Sequence, residues 1–147
     1  MHTYDLKDKT GRPLLWIRFT QYKKGVWDRE RSKKYLVYIF ELLEQKAGGK
    51  GFTMIGDGKD CASENVDVDL IYHLIEVLEK YYPGAIYRSV ALDLPQFFID
   101  IMTEVIKNLT PSLKDTVSFI NAPQLTEVLN QDQIPAYKLK TLATPKP

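Results

Sequence analysis

The 147-residue chain has one cysteine, Cys61, and two histidines, His2 and His73. A lone thiol forms no internal disulfide, which points to a reducing compartment. His73 is followed by Leu74-Ile75-Glu76, which is no zincin pattern, and no His, Cys or carboxylate cluster has metal-ligand spacing. There is no G-x-S-x-G turn for a serine nucleophile, and Cys61 sits in a polar stretch without a nearby histidine. Acid–base and covalent chemistry are therefore poorly served, and the expectation is a protein that is not an enzyme and needs no metal or cofactor. No apolar run approaches the roughly 20 residues of a membrane span, and the N-terminus lacks the basic-then-apolar order of a secretory signal. A cytoplasmic protein is expected. With 20 Lys and Arg against 19 Asp and Glu, the net charge of +1 leaves no cationic excess for a phosphate backbone, which argues against nucleic acid. Local basic runs at Lys23-Lys24 and at Arg29, Arg31, Lys33 and Lys34 alternate with acids. They fit a solvated helix face, with contact to anionic lipid headgroups as the sharper alternative.

What is present is a globular composition, 44% hydrophobic and 27% charged, in a length typical of one domain. Strand-like and helix-like segments alternate. After the polar turn Asp8-Lys9-Thr10-Gly11-Arg12-Pro13, the apolar run Leu14-Leu15-Trp16-Ile17-Arg18-Phe19 predicts a strand. Residues 31–45 carry Tyr35, Tyr38, Ile39, Leu42 and Leu43 at helical spacing, and Phe52-Thr53-Met54-Ile55 predicts a second strand ending at Gly56-Asp57-Gly58. Residues 67–82 form the clearest amphipathic helix, started by Asp67 or Asn65 as cap and ended by Pro83-Gly84. A third strand over 86–94, a helix over 95–109, a fourth strand over 116–120 and a short helix over 124–130 follow. From Gln131 onward a loose tail is expected. Helices of this length between strands imply crossovers, hence an α/β fold with a mainly parallel sheet covered by helices.

Such a fold invites a nucleotide reading, which the motifs oppose. Gly56-Asp57-Gly58-Lys59 lacks both G-x-G-x-x-G and G-x-x-x-x-G-K-[ST], and the next helix begins some eight residues later, so no helix N-terminus is aimed at a phosphate. Asp57 at a strand end also suggests a phosphoacceptor, but no companion acidic pair follows an earlier strand.

The most informative segment is residues 95–109. Phe97, Phe98, Ile101, Met102, Val105, Ile106 and Leu109 cover about half the helix circumference, wider than contact with one sheet requires. Either this is a core helix, or its long, soft and aromatic side chains wall a cavity.

Several motifs fall in a familiar order. Asp8-Lys9-Thr10-Gly11-Arg12-Pro13, the strand ending in Asp57, Tyr81-Tyr82-Pro83-Gly84, Asp93-Leu94-Pro95-Gln96-Phe97-Phe98, Leu109-Thr110-Pro111 and Ile134-Pro135-Ala136-Tyr137 resemble the signature of the CRAL-TRIO lipid-binding family. Gly11 to Phe19 and Asn65-Val66-Asp67-Val68-Asp69 look closest to the CRAL-TRIO domain of motile-sperm-domain-containing proteins. Glycines usual after the closing motif are absent. The resemblance implies a domain over residues 1–138 with a flexible tail over 139–147, a mixed, mainly parallel sheet as pocket floor, and the 95–109 helix as a movable gate. It implies binding of a hydrophobic small molecule or lipid, with transfer or sensing as the roles such binding would serve, and transient contact to a membrane surface. The expected pocket residues are Leu15, Ile17, Phe52 and Met54, and the expected gate residues are Phe97, Phe98, Ile101, Met102, Val105, Ile106 and Leu109. The acid and base that hold inositol phosphate in some members match Gly84 and Thr116 here, and the hydroxyls that hold choline phosphate match Phe52, Met54 and Leu15. The expected ligand is thus more apolar than a phospholipid head, or a lipid whose head stays at the mouth. The alternative is a non-carrying interaction module whose pocket Trp16, Phe52 and Met54 fill. The N-terminal helical lobe common in the family has no counterpart in this sequence, and a homodimer covering the exposed apolar surface is expected in its place.

Overall fold

The computed structural model describes residues 2–26 and 28–143. Five strands form one mixed sheet in the order β1-β2-β3-β4-β5. They are β1 (His2–Lys7), β2 (Pro13–Arg18), β3 (Phe52–Asp57), β4 (Ile86–Leu92) and β5 (Val117–Ile120). β1 runs antiparallel to β2, and all other pairs are parallel. Helices α1 (Arg29–Ala47), α2 (Val68–Tyr81) and α3 (Gln96–Lys107) with the single turn α4 (Pro111–Lys114) make the three crossovers. Strand order equals chain order, so crossovers of the usual right hand place all three helices on the same face of the sheet. The order never reverses, which leaves no topological switch point, the place where doubly wound sheets open a ligand crevice.

β1 was not legible in the sequence: His-Thr-Tyr-Asp-Leu-Lys is largely polar, and its register with β2 shifts between Thr3 and Leu6. The turn that follows explains the D-x-x-G-R-P motif. The Asp8 carboxylate accepts from the Thr10 and Arg12 backbone N–H groups at 2.9 and 3.0 Å and from the Thr10 hydroxyl at 2.6 Å. Its second oxygen accepts from the Thr53 hydroxyl on β3 at 2.7 Å, tying the hairpin to the sheet centre. Gly11 takes φ +85°, open to glycine at no steric cost.

Asp28 caps α1, and Asp67 caps α2 by accepting from the Leu70 N–H at 3.2 Å. Of the two residues expected to start α2, Asn65 does something else: its amide holds the chain ahead of the helix, donating to the Tyr22 carbonyl at 2.6 Å and accepting from the Ala62 N–H at 2.9 Å.

The two faces of the sheet are packed differently. Leu14, Trp16, Ile55, Val90, Leu92 and Ile120 point to one face, where Leu125, Val128, Leu129 and Ile134 cover them. These come from a 3₁₀ helix, Ala122–Glu127, and the segment after it, where an α-helix over 124–130 was expected. The segment beyond Gln131 also differs from the loose tail expected: a 3₁₀ turn (Gln131–Gln133) leads into α5 (Ala136–Ala143), and Ile134 and Lys138 are buried. Helix α5 thus runs past residue 138, while residues 144–147 of the expected tail lie outside the described residues. On the opposite face Leu15, Phe52 and Ile86 meet Ile39, Phe40 and Leu43 of α1 and Leu78 of α2.

Candidate functional site

Beneath α3 the second face is not filled. A cavity of about 180 Å³ lies between α2, α3 and the sheet. Its floor is Ile17 of β2, Met54 and Gly56 of β3, and Ser89 and Ala91 of β4. Ile71, Leu74, Ile75 and Leu78 of α2 form one wall, and Phe98, Met102, Val105, Ile106 and Leu109 form the roof. Phe19, Phe40 and Leu113 are among the residues that close it. Among the described residues, Ser89 is the only one in the lining with a polar side chain.

Two local features keep this space open. Alternate residues of a strand face the same way, and the floor positions under α3 are small, namely Gly56, Ser89 and Ala91. A β-carbon at Gly56 would lie 2.6 Å from Phe19 Cε2, so that position accepts no side chain while Phe19 stays put. The second feature is distance. The α1 backbone approaches β2, β3 and α2 closely, whereas α3 makes no comparably close backbone approach to any single element.

The expected site residues separate into two groups. Ile17, Met54, Phe98, Met102, Val105, Ile106 and Leu109 come together around the cavity. Leu15 and Phe52 do not: they sit further back along the same face, fully buried under α1 with Ile39 and Leu43. Phe97 and Ile101 also lie off the lining and join the cluster around Cys61, Val66 and Phe98 at the start of α3. Helical geometry explains this split, because at about 100° per residue positions 98, 102, 105 and 109 share a stripe that excludes 97 and 101. Trp16, one of the residues expected to plug the pocket, faces the other side of the sheet and cannot enter it. Gly56, Ser89, Ala91 and the α2 wall were not foreseen. The alternation of small residues in β3 and β4 was the available signal.

At the C-terminal ends of β3 and β4 lies a buried polar network. Asp57 accepts from the Tyr137 hydroxyl at 2.6 Å and from Lys138 Nζ at 3.2 Å, and its Oδ1 also accepts from the Lys59 N–H at 3.1 Å. Lys138 Nζ bonds Asp93 at 2.8 Å as well, and its side chain is 1% exposed. Tyr137 is edge-on to Trp16, whose indole N–H donates to the Tyr137 hydroxyl at 2.8 Å, while the Arg18 guanidinium lies 3.9 Å from the Tyr137 ring centroid. Burial, and then the hydrogen bond to Asp57, raises the Tyr137 pKa above the usual phenol value. Asp57 is thus enclosed by structural partners, which accounts for the strand-ending Asp and for the tyrosine of the closing motif together. Lys138 carried no signal in the sequence.

Asp93 has φ +51° and accepts from the Ala122 N–H at 2.9 Å as well as from Lys138, so the chain entering α3 is held from both sides. Cys61 is buried and its thiol is pushed up to about 11, by desolvation first and then by Asp57 and Asp60, the opposite of an activated nucleophile. Among the described residues, no three His, Cys, Asp or Glu side chains are grouped to hold a metal ion, and no helix is long and apolar enough to cross a membrane.

The profile of the CRAL/TRIO domain family matches residues 2–138. A CRAL-TRIO domain-containing protein of Schizosaccharomyces pombe is 26% identical over 144 residues, which are 96% of this chain and 32% of that protein. The chain thus spans about a third of that relative's length. The crystal structure of Sfh5 superposes with a TM-score of 0.70 at 14% identity, covering 100% of this chain and 66% of that one.

Proposed function

The chain belongs to the CRAL/TRIO domain family, whose members generally bind lipids or other small hydrophobic molecules without catalysing a reaction, and on that premise we propose that it holds one apolar guest beneath α3. The observation that carries this reading is the cavity itself, an almost wholly apolar space of about 180 Å³ over a floor of small residues. An engineered apolar cavity of about 150 Å³ stays dry and takes up benzene, so a space of this kind favours a hydrophobic occupant over water. Each CH₂ moved from water contributes about 0.8 kcal/mol. Among the described residues the lining offers a phosphate one hydroxyl, Ser89, and no cation, and its burial so poorly paired would cost several kcal/mol. Ligand pockets usually measure about 300–1,000 Å³. A guest with more than one chain therefore requires α3 to move outward, and the stand-off of that helix from the sheet supports such a motion.

Native mass spectrometry of the purified chain tests this. A bound apolar molecule in one-to-one ratio is expected, and it is expected to disappear in Met102→Asp, a half-buried roof position where a carboxylate enters the cavity. Recovery of bare protein that also takes up no added decanol would overturn the reading. The small volume favours one competitor, a module whose nearly filled pocket carries nothing and whose surface binds a protein or membrane. That competitor predicts the same bare protein.

A further inference from the structure

We propose, resting on the reading above, that the guest carries an alcohol or amine head, a hydrogen-bond donor without negative charge, and that this head sits in a second recess between α2 and α3. That recess measures about 470 Å³ and shares Ile75, Val105 and Leu109 with the apolar cavity. These three side chains stand between the two spaces, so one amphiphilic molecule reaches both when they part, its chain over the sheet and its head between the helices.

The remaining lining decides what head fits. Tyr72, Glu76, Glu79, Lys80 and Asn108 surround the recess, two carboxylates against one ammonium. Glu79 Oε2 accepts from the Thr110 N–H at 3.0 Å, which leaves acceptor capacity on the carboxylate. The Asn108 amide nitrogen is engaged with the Glu104 carbonyl at 3.2 Å, so that side chain offers its oxygen. The single cation, Lys80, lies 5.5 Å from the Tyr81 ring centroid, and the cation of the neighbouring turn, Lys107, is paired with Glu104 at 2.8 Å. The recess therefore presents mainly acceptors and a net negative charge. A hydroxyl or ammonium head is complemented there, whereas a carboxylate or phosphate head meets two carboxylates against the one ammonium of Lys80.

Calorimetric titration of the full chain at low salt with decanol, decylamine and decanoate holds the chain contribution constant and varies only the head. Decanol and decylamine are expected to bind about fivefold or more tightly than decanoate, the scale of a partly screened charge contact. The decanol and decylamine arms separate a neutral from a cationic head. In Glu76→Lys, an exposed position that leaves the packing intact, the order of decylamine and decanoate is expected to reverse. Equal affinity for all three, or tightest binding of decanoate, overturns the head assignment while leaving the apolar cavity reading intact. Failure of all three to bind overturns that reading and this inference with it.

Discussion

Replacing Lys138 by methionine isolates the energetics of the buried network. Its ammonium lies 3.2 Å from Asp57 and 2.8 Å from Asp93, with side-chain exposures of 1% for the lysine and 2% and 14% for the two acids. Methionine keeps the length and apolar volume of the stem but leaves two buried carboxylates with no cation between them. Breaking a buried pair from one side typically costs about 3–5 kcal/mol, because the surviving charge stays desolvated and unpaired. At about 2.1 cal/mol/K per residue, 147 residues give an unfolding entropy near 0.3 kcal/mol/K, so the melting temperature is expected to fall by roughly 10–15 °C at neutral pH. Adding Asp57→Asn and Asp93→Asn removes the stranded charges and is expected to recover more than half of the loss. Urea unfolding followed by circular dichroism at pH 7.5 gives both numbers, with Lys107→Met, from an exposed pair, as a control expected to change stability by less than about 0.5 kcal/mol. A Lys138→Met penalty under about 1 kcal/mol, or no recovery on neutralising the two acids, would refute the account of α5 as an ionic anchor.

Three further substitutions probe other parts of the fold. Ala91→Leu places added carbons into existing space above the floor, and is expected to keep or raise stability by up to about 1 kcal/mol while weakening decanol binding at least tenfold, as read by urea midpoint and calorimetry. Gly58→Ala is expected to cost about 1 kcal/mol in urea unfolding, because its β-carbon would overlap Leu94 Cδ2, the far end of a side chain that must turn aside at the entry to α3. Burial alone would raise the pKa of Asp67, but hydrogen bonds from the Leu70 N–H, Tyr22 and Arg29 outweigh it and hold the carboxyl below its usual value. A depressed folded value means that the stabilisation is fully present above the unfolded value of about 3.9 and is lost as pH falls through the folded one. Asp67→Asn is accordingly expected to flatten the acid limb of the stability profile below about pH 4, measured by urea midpoints from pH 2 to 7.

Much of this was legible from periodicity. α2 announced itself because Leu70, Ile71, Leu74, Ile75 and Leu78 repeat at helical spacing, β2 because its apolar run follows the Gly11-Arg12-Pro13 turn, and β3 and β4 because their branched and aromatic runs end in glycine or aspartate. The pocket stripe of α3 was visible as an apolar set but not its boundary, since circumference alone does not say that 98, 102, 105 and 109 face inward while 97 and 101 turn towards Cys61 and Val66. β1 was hidden because an edge strand with a polar sequence carries little alternation. Lys138 was hidden for a different reason: a lysine in a Lys-rich C-terminal segment looks solvated until tertiary structure brings Asp57 and Asp93, 81 and 45 residues away, to the same point.

The placement of the cavity follows from the asymmetry of the sheet. Along β3 and β4 the side chains facing α5 are large, Ile55, Val90 and Leu92, and they pack with Trp16, Leu125 and Leu129 into one buried core. The intervening positions facing α3 are Gly56, Ser89 and Ala91. A helix bearing Phe98, Met102 and Val105 cannot settle onto such a floor, because its own roof residues reach the sheet before the backbone closes the distance. Void space of this kind loses dispersion contacts on every wall, so an unoccupied pocket is a cost that a guest can offset by supplying the missing atoms. The polar network supplies the complement. Lys138 and the Ala122 N–H fix Asp93 at the entry to α3, while the far end of the helix is tied to α2 through the Thr110 N–H and Glu79. If α3 moves outward as proposed, the exposed Glu79 contact is expected to break before the buried Asp93 contacts, so that opening starts at the C-terminal end of the helix, beside the recess between α2 and α3.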